Sequence, residues 1–210
     1  MLRILIADDH TVVRKGLKQI LLEEFPTAEI TETADAATLF MKVLREDWDI
    51  VITDISMPDK SGLEVLQQIR RDYPRLPVLI LSAHSEDQYA IRALKAGASG
   101  YLCKDSASEE LVTAIRRILL GKKYITASLA EKLAFHLDQE DGNRPPHEHL
   151  SDREFEVMKF LASGKVVSEI ASQLCLSVTT ISTYRARILT KMNLKTNYDL
   201  TRYAMENKLL

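Results

Sequence analysis

Ile50-Val51-Ile52-Thr53-Asp54-Ile55-Ser56-Met57-Pro58 decides the fold. Ile50, Val51 and Ile52 are apolar whichever way an extended chain turns them, as a strand covered on both faces requires. The strand expected over Ile50–Thr53 delivers Asp54 at its carboxyl end. Working outward, Arg3–Ala7, Ala28–Thr33, Val78–Ser82 and Gly100–Cys103 read as further strands. Amphipathic stretches separate and follow them at Val12–Glu24, Ala36–Arg45, Gly62–Asp72, Asp87–Ala96 and Glu109–Leu120. Strand–helix alternation at this spacing implies an α/β domain, a parallel sheet with helices on both faces.

Five such units fit the flavodoxin-like strand order 2-1-3-4-5, in which ligands bind at the carboxyl ends of the strands. Those ends are polar here. The first strand runs into Asp8-Asp9, the third into Asp54, the fourth into Ser82 and the fifth into Lys104. Each acid alone would serve as a helix N-cap. Together they place three carboxylates, an ammonium and a hydroxyl on one crevice. Clustered carboxylates repel, and a hard divalent cation relieves the repulsion. Mg²⁺ takes oxygen ligands and keeps several waters, which leaves positions for phosphoryl oxygens. An Asp beside it can attack a phosphoryl donor and form an acyl phosphate. Lys104 would offset charge on the phosphoryl oxygens, and Ser82 would hydrogen-bond one of them.

A short helical pattern, Ala127–Leu137, precedes the polar segment Asp138–Pro146, which contains Gly142, Pro145 and Pro146 and reads as a linker. From Leu150 only helical patterns follow, at Asp152–Ser163, Val167–Leu174, Thr179–Met192 and Asn197–Asn207. Ser151-Asp152-Arg153-Glu154 is a capping box, and Gly164 stands where the first of these helices should stop. The expected division is 1–122, a linker with a short helix over 123–146, and a four-helix domain over 147–210. Charge follows this division. Residues 1–142 carry 18 Lys and Arg against 23 Asp and Glu, a net of −5, and residues 143–210 carry 10 against 7, a net of +3. The acidic part suits a cation and the basic part a polyanion.

No apolar run approaches the roughly 18–20 residues needed to cross a bilayer. The start of the chain turns acidic at Asp8 and lacks a cleavage site, so a cytoplasmic location is expected. Cys103 and Cys175 fall in different expected domains without CxxC spacing, which argues against structural zinc and a disulfide framework.

Ile6-Ala7-Asp8-Asp9-His10, Asp54-Ile55-Ser56-Met57-Pro58, Gly62-Leu63-Glu64, Leu81-Ser82-Ala83 and Gly97 to Lys104 together resemble a response-regulator receiver over about residues 1–120. The resemblance implies Asp54 as phosphoacceptor. It implies Mg²⁺ held by Asp9 directly, by Asp8 mainly through water, by Asp54 and by the Ser56 carbonyl. Ser82 and Tyr101 match the family's switch pair, whose hydroxyl moves toward the phosphate while the aromatic ring turns inward. Ile55 and His84 flank the site. Lys104 is followed by Asp105 rather than the Pro common in receivers, a departure similar to the subgroup with LuxR-type output domains.

Leu150 to Glu154, Glu169-Ile170-Ala171, Thr180 to Tyr184 and Lys191 to Leu194 resemble a LuxR-type helix-turn-helix over about residues 148–210, with the motif itself at 168–187. The two halves together are similar to the NarL/FixJ family. Ser168–Leu174 would be the first helix of the motif and Thr179–Met192 the recognition helix, capped by Ser177. Val178, Ile181, Ile188, Leu189 and Met192 are expected to pack inward. Thr179, Ser182, Thr183, Arg185, Ala186, Arg187 and Lys191 are expected to face double-stranded DNA. Ser182 and Tyr184 replace the commoner Lys and His, so readout by a long cation is lost. Arg185, Arg187 and Lys191 then serve phosphates.

The expected function is a two-component transcription regulator rather than an enzyme. The resemblance implies a sensor histidine kinase as donor, a homodimer when phosphorylated or DNA-bound, and RNA polymerase as a further partner. Two other readings compete. An Asp-nucleophile phosphatase would carry a second acid two residues after the nucleophile, where Ser56 stands, and a substrate cap that is absent. A DNA-binding regulator independent of phosphorylation would not need the full pocket.

Overall fold

The structure is a computed structural model that describes residues 1–57, 60–83, 86–137 and 145–210. It divides into two compact units, Met1–Ala134 and Phe135–Leu210.

In the first unit five parallel strands, β1 (Arg3–Ala7), β2 (Glu29–Thr33), β3 (Ile50–Asp54), β4 (Val78–Ser82) and β5 (Gly100–Cys103), lie in the order β2-β1-β3-β4-β5. Helices α1 (Thr11–Glu24), α2 (Ala36–Arg45), α3 (Gly62–Asp72), α4 (Glu86–Lys95) and α5 (Ala107–Leu119) connect or follow them. The order is the one expected. The central strands β3 and β4 are buried along their whole length, as their unbroken apolar runs require. Ile4, Ile6, Ile50, Ile52, Leu79, Leu81 and Leu102 pack with Leu17 and Leu21 of α1 and with Leu111, Ile115 and Ile118 of α5. Side chains alternate across a strand, so Leu5, Val51, Ile80 and Tyr101 stand on the opposite face, also fully buried.

Two local devices position the carboxyl ends of the strands. The strand geometry of β3 runs one residue further than the apolar pattern suggests and takes in Asp54, whose neighbour Ile55 donates its N–H to the Leu81 carbonyl at 3.0 Å. Gly62 opens α3 against the end of β3. A Cβ built there would stand 2.1 Å from the Asp54 carbonyl oxygen, so the approach admits only glycine.

Helix α6 (Ala127–Leu137) follows a segment that lies against the first unit. The Tyr124 N–H donates to the Ser99 carbonyl at 2.9 Å, and the Tyr124 hydroxyl donates to Glu110 at 2.6 Å. Thr126 accepts the Leu129 N–H at the start of α6 and donates to Glu86 of α4 at 2.9 Å. Most of the expected Asp138–Pro146 linker lies outside the described residues.

The second unit contains α7 (Asp152–Ala162), α8 (Val167–Gln173), α9 (Val178–Lys191) and α10 (Asn197–Glu206). The Ser151 capping box forms as its sequence implies, with Glu154 reaching back to the Ser151 N–H at 2.8 Å. Gly164 ends the first helix at φ +87°, where L side chains are strained. Ile181, Ile188 and Met192 are buried, and Leu189 is half-buried, as their helical spacing predicts. Val178 departs from that pattern and is 53% exposed. It occupies the first turn of α9.

Candidate functional site

Asp8, Asp9, Asp54 and Lys104 meet at the carboxyl end of the sheet, as the strand ends predict. The Lys104 ammonium lies 2.7 Å from Asp54 Oδ2 and 2.7 Å from Asp8 Oδ2. Asp8 and Asp54 are almost fully buried, whereas Asp9 is one-third exposed at the mouth. The Ser56 N–H donates to Asp54 Oδ1 at 3.2 Å. Burial pushes the Asp54 carboxyl above the usual carboxylate range, and Lys104 only partly offsets it. Burial opposes the charge on Lys104, but its contacts with Asp54 and Asp8 outweigh that and hold its pKa above the ordinary value.

The donor set fits a hard divalent cation. Carboxylate oxygens of Asp8, Asp9 and Asp54 fall, with a ring nitrogen of His10, within 4.8 Å of one another. Asp8 Oδ2 is buried and touches Lys104 as a charge, without the direction of a hydrogen bond. An oxygen-rich, partly unsatisfied cluster of this kind suits Mg²⁺ better than a softer metal.

Beneath this cluster Ser82 and Tyr101 are fully buried, and their side chains are hydrogen-bonded to each other. Burial pushes the Tyr101 hydroxyl well above its ordinary pKa, so it stays protonated and able to donate. Ile55 lies buried beside the site. His84 lies outside the described residues.

In the second unit α9 is the candidate nucleic-acid interface. Ser177 accepts the Thr180 N–H at 3.0 Å and caps it. Thr179, Ser182, Thr183, Ala186, Arg187 and Lys191 are exposed, and Arg185 is half-buried. Two of the three cations are engaged within the domain. Arg185 Nε donates to Asn197 Oδ1 at 2.7 Å, and Lys191 Nζ lies 2.6 Å from the buried Glu154 carboxylate.

Comparison with known proteins matches both units. Residues 4–116 match the response regulator receiver domain, and residues 148–204 match the bacterial regulatory proteins of the luxR family. The oxygen regulatory protein NreC of Staphylococcus epidermidis is 35% identical, covering 100% of this chain and 99% of that protein. The response regulator UvrY of Escherichia coli is 33% identical, covering 100% of this chain and 96% of its own length. The chain belongs to the NarL/FixJ family of response regulators. RcsB of Salmonella enterica serovar Typhimurium, solved on the rprA promoter with the phosphomimetic BeF₃⁻, superposes with a TM-score of 0.64 at 27% identity. That likeness covers 97% of this chain and 98% of RcsB.

This response regulator therefore has a receiver domain followed by a LuxR-type DNA-binding domain. Two further residues stand at its acidic cluster. Arg14 donates to the Asp8 carbonyl at 2.5 Å, and His10 lies 2.7 Å from Asp9 and 3.2 Å from Asp8. Arg14 sits on α1 one turn after His10, so it swings back over the loop that carries both acids. His10 was legible as the neighbour of Asp8-Asp9. Arg14 was not, because nothing local distinguishes it from a solvated helix cation.

Proposed function

We propose that Asp54 accepts a phosphoryl group from a sensor histidine kinase and that this switches DNA binding by the LuxR-type domain. The observation that carries the reading is the contact of one ammonium, Lys104, with two buried carboxylates, Asp8 and Asp54. Lys104 favours the ionised, nucleophilic form of the buried Asp54. Transfer forms an O–P bond from Asp54 while the donor's bond to phosphorus breaks, and the leaving imidazole keeps that electron pair. Lys104 then stands where charge on the phosphoryl oxygens is offset. Asp8, Asp9, Asp54 and the Ser56 carbonyl would hold Mg²⁺, which supplies charge neutralisation for those oxygens when bound. Ser82 would hydrogen-bond a phosphoryl oxygen, and Tyr101, already bonded to Ser82, would carry the change away from the pocket.

Thr179, Ser182, Thr183, Arg185, Ala186, Arg187 and Lys191 would form the DNA-facing side of α9. Residues 1–122 would act as receiver, 123–146 as connection and 147–210 as DNA-binding domain. The active form is a homodimer on paired half-sites, since two-fold symmetry raises affinity through effective concentration. RNA polymerase is the downstream partner, and the cytoplasm is the compartment that holds DNA and kinase together. Among the described residues no helix is long and apolar enough to cross a membrane.

The test compares wild type and Asp54→Ala with and without beryllofluoride and Mg²⁺, reading oligomeric state and DNA binding. Wild type should dimerise and bind more tightly, and Asp54→Ala should not respond. An equal response in both favours regulation without phosphorylation.

A further inference from the structure

Helix α9 presents methyl groups where a sequence reader would usually present long polar side chains. With 3.6 residues per turn, Val178, Ser182 and Ala186 form one row on its outer side, and Thr179, Thr183 and Arg187 form the next, which Thr190 extends. All seven are exposed. Two of the hydroxyls in this pair of rows are already used. Thr183 Oγ1 donates to the Thr179 carbonyl at 3.0 Å, and Thr190 Oγ1 donates to the Ala186 carbonyl at 3.0 Å. With each hydroxyl turned back onto the helix, these threonines offer their methyl groups outward. Val178, one of the few large apolar side chains more than half exposed, adds two more at the leading end. Arg185 lies beside the first row and Arg187 ends the second, where each meets a polyanion.

The chemistry of the major groove limits what such a surface can distinguish. Guanine is read by Arg or Lys, adenine by Asn or Gln, and cytosine by an acid. Of these types only Arg187 enters the two rows, at the far end of the second. Ser182 has a hydroxyl that donates or accepts equally and so selects little. The base feature that methyl groups complement is the thymine 5-methyl.

We propose that α9 selects its sites by apolar contact with thymine 5-methyl groups, through Val178, Thr183 and Ala186, while the arginines hold the backbone. This rests on α9 entering the major groove, as set out under the proposed function. Val178 becomes a specificity-determining residue, which explains why an apolar side chain stands exposed at that place.

The test starts from random-sequence duplexes retained by the full-length protein with beryllofluoride and Mg²⁺. Each thymine of the selected site is replaced singly by deoxyuridine, which pairs alike but lacks the methyl. Binding should weaken about fourfold at two or more thymines per half-site, the ratio that burying one methyl group gives. Val178→Ser should erase that loss at one thymine, and Thr183→Ser, which keeps the back-bonded hydroxyl, should erase it at another. Both variants should still bind the uracil-containing duplex. Equal binding of thymine and uracil duplexes at every position overturns the proposal while leaving DNA binding intact. Undiminished discrimination in both variants overturns it for these residues. Retention of no duplex at all overturns the DNA-binding reading itself.

Discussion

Lys104 Nζ stands 2.7 Å from Asp54 Oδ2, joining two residues fifty positions apart at the ends of non-adjacent strands. The contact leaves Asp54 with a pKa above its ordinary value, because burial outweighs the ammonium. A carboxyl whose folded pKa is raised contributes stability below its unfolded pKa and loses it as pH rises through the folded one. Asp54→Asn should therefore melt higher than wild type at neutral pH, by a few degrees. The gap should shrink as pH falls toward the usual carboxylate range. Thermal melts of both proteins across that interval check it, and a gap that widens on acidification refutes it.

The Ser82–Tyr101 hydrogen bond separates two roles for one ring. Tyr101→Phe keeps the buried ring and should cost about 1 kcal/mol of stability. Tyr101→Ala opens a cavity and should cost about 3–5 kcal/mol. Urea unfolding measures both. With Phe, phosphorylation by acetyl phosphate should continue at a near wild-type rate, while the gain in DNA binding on phosphorylation should fall severalfold. An undiminished gain would remove the Tyr101 hydroxyl from the switch.

Two glycines should respond in opposite directions to the same substitution. Gly62→Ala drives a Cβ into the Asp54 carbonyl and should destabilise by about 1–3 kcal/mol while slowing phosphorylation. Gly16, inside α1, has open space where an added Cβ would stand, with nothing within 4 Å, so Gly16→Ala should stabilise by about 0.5–1 kcal/mol. Denaturant midpoints decide it.

Arg187 and Lys191 should differ in salt dependence. Arg187 is exposed on the arginine-flanked side of α9, so Arg187→Ala should lower the slope of log affinity against log salt by about 1. Lys191 is committed to Glu154, so Lys191→Ala should change the slope less and lower the melting temperature of the DNA-binding domain more. Matching slopes for the two variants would return Lys191 to the phosphate contacts.

Burial pulls the Lys159 ammonium on α7 down to about 8. The unfolded chain then binds more protons than the folded one between that value and the ordinary lysine range. The stability of the DNA-binding domain should rise as pH climbs from about 8 toward 10. Lys159→Met should be more stable than wild type at pH 7 and lose that advantage in alkali. Melts of the full chain, following the transition of this domain, test the sign.

The five strands, the helices and the convergence of Asp8, Asp9, Asp54, Ser82 and Lys104 are all legible in the amino-acid order. Apolar period and strand–helix alternation are set by short-range sterics and burial, and a parallel sheet sends every strand's carboxyl end to the same edge. Helix α9 and its cap at Ser177 are legible for the same reason. Partners of long side chains are not. Lys191 meets Glu154 from another helix, Arg185 meets Asn197, and Arg14 folds back onto the Asp8 carbonyl, because a flexible cation chooses among acceptors that only packing brings near. Nor does helical spacing disclose that Val178 faces outward. Val178 stands at the edge of the apolar repeat, in one row with Ser182 and Ala186, so packing decides its burial, and it is 53% exposed. The sequence thus determined which groups line each surface, and the tertiary structure decided which of them remain available to a phosphoryl group or to DNA.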